Sequence, residues 1–140
     1  MNAKVSDVMT SNVVTTEPHV SVSRVRSIMA KNHIGALPVV DSQGAPVGIV
    51  SATDLIADLN AASPISTVMT DKVYTVSKYD DTSIAARVMK NHKIHRVIVT
   101  HERKVVGVVS AFDLLDLVTG HRFVMKNAPT QSTKKKTQRQ

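Results

Sequence analysis

Apolar positions along the chain change their spacing in a fixed order, and then do so again. A short extended piece, VVTT (13–16), precedes SVSRVRSIMAKN (21–32). There Val22, Val25, Ile28 and Met29 recur at helical spacing on one face. Two β-forming runs follow, LPVVD and PVGIV, separated by the turn residues Asp41 to Gly44, which is the pattern of a hairpin. A second apolar-periodic stretch, ATDLIADLN (52–60), predicts a closing helix. The later half repeats this order: VYTV (73–76), then TSIAARVMKN (82–91) with Ile84, Ala85, Val88 and Met89 inward, then RVIVT and KVVGVV, then AFDLLDLVTG (111–120). Ser21 and Asp81 are positioned to cap the long helices, and Asn32 and Asn91 to end them in the left-handed conformation.

The recurrence is also residue by residue, and internal repeats organise a fold. Val8-Met9-Thr10 returns as Val68-Met69-Thr70, Val13 and Thr15 as Val73 and Thr75, Met29 as Met89, and Ile34 as Ile94, each 60 positions later. After the hairpin the offset is 59, because Asp41 to Gly48 is one residue longer than His101 to Gly107. Two units are expected, 5–62 and 63–124, joined through Ala61-Ala62-Ser63-Pro64. The expected fold class is α+β, as two tandem β-α-β-β-α repeats. Neither unit is large enough to bury its apolar face alone. They should pack face to face about a pseudo-twofold axis, leaving clefts between them.

Composition narrows the possibilities. The only aromatic residues are Tyr74, Tyr79, Phe112 and Phe123, so the core must be aliphatic. There is no cysteine, which excludes disulfides, thiolate nucleophiles and cysteine-type zinc sites. No apolar run approaches the ~18 residues of a membrane span, and the start lacks the apolar block of a secretory leader; a cytoplasmic protein is expected. The net charge of +7 is uneven. Five of the 18 basic residues lie from Lys126 onward with no acid among them, leaving 13 basic against 11 acidic residues before that point. The tail (126–140) is expected to be disordered. A nucleic-acid reading would rest on this tail alone, and without aromatics for stacking a solvated tail is favoured. The histidines form no metal-ligand spacing, and no nucleophile–base pair or Gly-rich phosphate loop is present, so neither a metal site nor a catalytic residue is assigned.

The chemistry lies in GIVSATDL (48–55) and its copy GVVSAFDL (107–114). Ser51-x-x-Asp54 and Ser110-x-x-Asp113 each fit a capping box, in which Ser caps a helix and the acid reaches back to the cap N–H. The same groups suit a nucleoside. A helix start offers N–H groups to an anion, and a short carboxylate accepts two hydrogen bonds from a cis-diol. Capping and binding are compatible, and both stay open on the residues alone.

Over 5–124 the chain resembles a tandem pair of CBS domains, the cystathionine β-synthase-type regulatory (Bateman) module. The resemblance rests on VMT near each unit's start, on IGALPVVD (34–41), and above all on GIVSATDL and GVVSAFDL. It implies a non-catalytic sensor for an adenosine-containing ligand, with AMP, ADP or ATP ahead of NAD or S-adenosylmethionine. It places Asp54 and Asp113 on the ribose, and Ser51, Thr53 and Ser110 on sugar or phosphate. It places the basic pair His95-Arg96 toward phosphate, and Val14, Thr15, Tyr74 and Thr75 in the segment beside the base. It also implies a homodimer through the last helices of both repeats, and a regulated protein that the sequence does not name. The alternative is a ligand-free CBS dimerisation scaffold. The repeats differ where it matters: Gly35-Ala36 stands in place of His95-Arg96, and Thr53 in place of Phe112. Phe112 could pack on a base or block a pocket. Two clefts of unequal affinity are expected.

Overall fold

The computed structural model describes residues 3–119; the basic tail expected to be disordered lies outside the described residues. The first repeat contains α1 (Val5–Val8), α2 (Val22–Asn32), β1 (Ala36–Val40) and β2 (Pro46–Ser51). The second contains β3 (Thr75–Ser77), α3 (Thr82–His92), β4 (Arg96–His101), β5 (Lys104–Ser110), α4 (Ala111–Leu114) and α5 (Asp116–Thr119). Single 3₁₀ turns occupy Thr53–Leu55 and Ile65–Thr67. β1 and β2 form an antiparallel hairpin, as do β4 and β5, and β3 lies parallel to β4. The extended piece at 13–16 pairs less than its counterpart: it makes one parallel bridge, Thr16 to Val39.

The long helices start where the sequence predicts. Ser21 accepts from the Arg24 N–H at 3.1 Å, and the Asp81 carboxylate accepts from the Ser83 N–H at 2.9 Å. They stop later than predicted. The left-handed residues are His33 (φ 54°) and Lys93 (φ 56°), and Asn32 and Asn91 stay helical. The N–H of Ile34 bonds the Met29 carbonyl (3.1 Å) and that of Ile94 bonds Met89 (3.0 Å), five residues back in each case. That pattern is a Schellman stop, in which the residue after the left-handed one packs on the helix. Ile34 and Ile94 both pack against the core, so the apolar isoleucines, not the asparagines, set the end.

The closing helix predicted over 52–60 is absent: only one 3₁₀ turn forms there. Arg26, from α2, donates to the carbonyls of Leu55 (2.9 Å) and Ala57 (3.3 Å), which a continuing helix would need as acceptors. The chain then turns back, and the carbonyls of Ala61 and Ser63 accept from Ser23 and Val22. In the second repeat the position equivalent to Arg26 is Ala86, and there α4 and α5 both form.

Packing crosses the repeat boundary. Val5 is fully buried in the core of the second repeat, with Val76, Ala85, Met89, Val97, Val99 and Val109. Ile65, its counterpart, is fully buried in the core of the first, with Val22, Val25, Leu37, Val39 and Val50. Backbone pairing repeats the exchange. Thr10 and Val108 trade hydrogen bonds at 2.9 and 3.1 Å, and Thr70 and Ile49 trade them at 2.9 Å each. These two bridges are equivalent under the repeat offsets, which defines the pseudo-twofold axis. Each repeat thus lends its first segment to the other.

The exchange explains a glycine that the sequence pattern alone did not. A Cβ at Gly107 would stand 2.7 Å from Met9 Sδ and 2.8 Å from the Thr10 carbonyl oxygen. A Cβ at Gly48 would collide with the Met69 side chain. We expect Gly107→Ala to destabilise the protein by about 1–3 kcal/mol through overpacking. Gly48→Ala should cost less, because a flexible methionine can yield and a backbone carbonyl cannot; urea denaturation of both variants checks the order.

A second expectation concerns acid. Hydrogen bonds from Ser83, its side chain first and then its backbone N–H, hold the Asp81 carboxyl below its ordinary value. A carboxyl depressed by folding stabilises above its unfolded pKa, and that contribution is lost as pH falls through the folded value. Asp81→Ala should therefore lower the Tm at neutral pH, with the deficit vanishing as pH drops below the carboxylate range in a thermal-melt series.

Candidate functional site

The two Ser-x-x-Asp motifs sit where β2 and β5 end. Asp54 Oδ2 accepts from the Ser51 N–H at 2.9 Å, and the Asp54 N–H donates to Ser51 Oγ at 3.3 Å. Asp113 and Ser110 make the same reciprocal pair at 2.8 and 3.0 Å. Both capping boxes therefore form. Each uses Oδ2 alone, which leaves Oδ1 without a hydrogen bond among the described residues. The helices they begin have shrunk to one turn, Thr53–Leu55 and Ala111–Leu114. Such short turns sum few peptide dipoles, so most of the positive charge near each pair comes from side chains.

Two clefts flank the axis. Cleft 1, of about 520 Å³, joins Ser51, Thr53 and Asp54 of the first repeat to Lys72, Val73, Tyr74, His92, Lys93, His95 and Arg96 of the second. Cleft 2, of about 340 Å³, joins Ser110 and Asp113 to Thr10, Asn12, Val13, Val14 and Asn32, with Gly35, Ala36 and Arg96 between them. The wall positions correspond at an offset of 60: Asn12 with Lys72, Val14 with Tyr74, Asn32 with His92, and Gly35 with His95. One backbone arrangement is thus furnished twice with different chemistry.

Cleft 1 is cationic. Lys72, Lys93 and Arg96 face one carboxylate, that of Asp54. Tyr74 and His92 stack with ring centroids 4.0 Å apart, forming an aromatic wall. Cleft 2 has one cation, Arg96, against one carboxylate, Asp113, and its other polar groups are amides and hydroxyls. Arg96 lines both clefts. Its Nη2 atom lies 3.1 Å from the place a Cβ on Gly35 would take, so the missing side chain in one repeat makes room for the guanidinium of the other. Among the described residues no carboxylate pairs with Arg96; the ion pairs are His19–Glu17 and His101–Glu102.

Of the residues singled out from the sequence, Ser51, Thr53, Asp54, Tyr74, His95 and Arg96 meet in cleft 1. Val14, Ser110, Asp113 and again Arg96 meet in cleft 2. Thr15 and Thr75 line neither. Phe112 neither lines nor blocks a cleft and is 79% exposed. Sequence reasoning missed Lys72, Lys93 and His92. The signal was available: His92 and Lys93 directly precede Ile94-His95-Arg96, and Lys72 precedes Val73-Tyr74.

Comparison with known proteins agrees with this organisation. The CBS domain family model matches residues 5–61 and 65–120. A protein of Methanocaldococcus jannaschii is 28% identical over 135 residues, which is 84% of this chain but 32% of that protein, so the chain spans about a third of its length. The CBS domain pair of protein MJ0100, solved with 5′-methylthioadenosine and S-adenosyl-L-methionine, is 29% identical with a TM-score of 0.78, covering 86% of this chain and 98% of the other. The cytosolic domain of the Mg²⁺ channel MgtE, solved with ATP, is 26% identical with a TM-score of 0.74, covering 81% of this chain and 48% of the other. Among the described residues no helix is long and apolar enough to cross a membrane.

The capping role is separable by mutation. Ser51→Ala and Ser110→Ala each remove a cap acceptor and should cost about 1 kcal/mol in urea unfolding. Ser110 should cost more, because its bond is shorter and starts a full helical turn.

Proposed function

The chain belongs to the CBS domain family, and on that premise we propose that it is a non-catalytic regulatory module binding an adenosine-containing nucleotide in its two inter-repeat clefts. The observation that supports this most is the composition of cleft 1. A carboxylate with one uncommitted oxygen, the hydroxyls of Ser51, Thr53 and Thr70, an aromatic wall and three cations stand around one cavity. Asp54 would accept from the ribose diol. Ser51 and Thr53 would bond sugar or phosphate oxygens. Val73, Tyr74 and His92 would flank the base, and Lys72, Lys93, His95 and Arg96 would receive the phosphates. Three cations against one carboxylate favour ADP or ATP there over a ligand without phosphate. In cleft 2, Asp113, Ser110 and Val14 would take the equivalent roles with a single cation, which favours AMP or an uncharged adenosine derivative.

The readout belongs to the same proposal. Ile56 (80%), Phe112 (79%), Leu115 (51%) and Val118 (43%) are large apolar side chains left exposed around the last segment of each repeat. A homodimer through these segments would cover them, and ligands that favour one dimer geometry would shift its population. A cytoplasmic setting and a regulated partner complete the reading.

The test is calorimetry with AMP, ADP and ATP on the wild type and on Asp54→Asn and Asp113→Asn. Asparagine keeps an oxygen to cap Ser51 or Ser110, so the fold should persist, but its amide donates where the diol needs an acceptor. Each variant should lose about tenfold or more in affinity at its own cleft, the scale of a hydrogen bond to a charged group. Unchanged affinity in both would defeat the proposal and favour the dimerisation scaffold.

A further inference from the structure

Arg96 stands at the axis, and it has no counterpart. The equivalent residue in the first repeat is Ala36, which also lines both clefts and brings no charge. A chain with arginine in both repeats could supply a guanidinium to each cleft; this one supplies a single group to two. We infer that the clefts compete for that group, so that an anionic nucleotide in cleft 1 weakens cleft 2 for a second anionic ligand while leaving a neutral nucleoside unaffected. The inference rests on the nucleotide-binding reading above and adds a rule for how the sites are coupled.

The physical argument has three parts. First, cleft 1 retains Lys72 and Lys93 without Arg96, whereas cleft 2 has no other lysine or arginine in its lining. Losing the guanidinium would leave cleft 2 with the uncompensated carboxylate of Asp113, which repels phosphate. Second, the group is free to choose. Arg96 is exposed and no carboxylate holds it, and Gly35 offers no side chain to bar its path between the clefts. Third, the planar fork of arginine engages one phosphate bidentately and stays charged, so its commitment to one cleft is withdrawn from the other. A ligand without a phosphate makes no use of the fork. Binding linkage is reciprocal, so an anion held in cleft 2 must weaken cleft 1 for ATP by the same factor.

The experiment is an NMR titration of the full chain, with the backbone amides of Ser51 and Asp54 reporting cleft 1 and those of Ser110 and Asp113 reporting cleft 2. AMP and adenosine are titrated separately, with and without ATP at a concentration that saturates cleft 1. The quantity read is the ratio of AMP to adenosine affinity at cleft 2, in which direct displacement by ATP cancels. In the wild type this ratio should fall about fivefold or more when ATP is present, the lower bound of typical coupling between sites. In Arg96→Ala the ratio should already be low and ATP should leave it unchanged. A wild-type ratio insensitive to ATP overturns the coupling and leaves nucleotide binding standing, as does ATP filling cleft 2 before cleft 1. Absence of any shift at either cleft overturns both.

Discussion

The structure depends on the exchange of leading segments between repeats. Val5 and Ile65 each fill a core built otherwise from the other half of the chain. The backbone bridges Thr10–Val108 and Ile49–Thr70 then fasten β5 and β2 to segments from across the axis. Neither repeat can complete its core without the other, so burial of aliphatic surface, the dominant favourable contribution to folding, holds the pair together as one body. The clefts are a by-product of that fastening. Each exchanged segment runs on into the stretch that walls a cleft, Thr10 to Val14 on one side and Thr70 to Tyr74 on the other.

A local stability device is thereby placed in the lining of each cleft. Asp54 and Asp113 each spend one oxygen on a capping box and keep the other. The box fixes the orientation of the carboxylate, which would reduce the ordering cost of the proposed binding. The turns that follow sum few peptide dipoles, and most of the positive charge comes from Lys72, Lys93 and Arg96. Charge on side chains can differ between repeats where a backbone dipole would be the same in both. That is how one backbone arrangement comes to hold two chemically distinct clefts.

Differences between the copies have structural causes that their identities conceal. Arg26 draws the carbonyls of Leu55 and Ala57 and ends the closing segment of the first repeat after one turn, while Ala86 leaves α4 and α5 to form. Gly35 leaves the space that the Arg96 guanidinium occupies. Arg26 is matched by Ala86 in the other repeat, and Arg96 by Ala36; in the second case the guanidinium also meets Gly35, the residue before its own counterpart. Gly35 and Arg96 are complementary across the axis, so a side chain at position 35 would crowd the guanidinium.

Much of this was legible in the chain itself, because the signals are local. Helical and alternating spacing, two N-caps and two reciprocal Ser–Asp boxes need only neighbours within a few positions, and the 60-residue offset only compares one such local pattern with its copy. They gave the α+β repeat, the start of each long helix and the Ser–Asp pairs at 51/54 and 110/113; with the residues that the family resemblance added, nine of the eleven singled out line a cleft. What failed also failed for one reason: distant partners overrode local preference. Isoleucines reaching the core moved the helix ends past Asn32 and Asn91, and Arg26 cancelled a helix that periodicity favoured. Thr15 and Thr75, taken with their neighbours Val14 and Tyr74, line neither cleft. Which repeat owns which leading segment, why a side chain at Gly48 or Gly107 would be crowded, and that Arg96 faces both clefts are facts about contacts between residues about 20 to 100 positions apart. Such contacts exist only once the two halves have packed, so the sequence determined the parts and the tertiary structure alone decided how they share them.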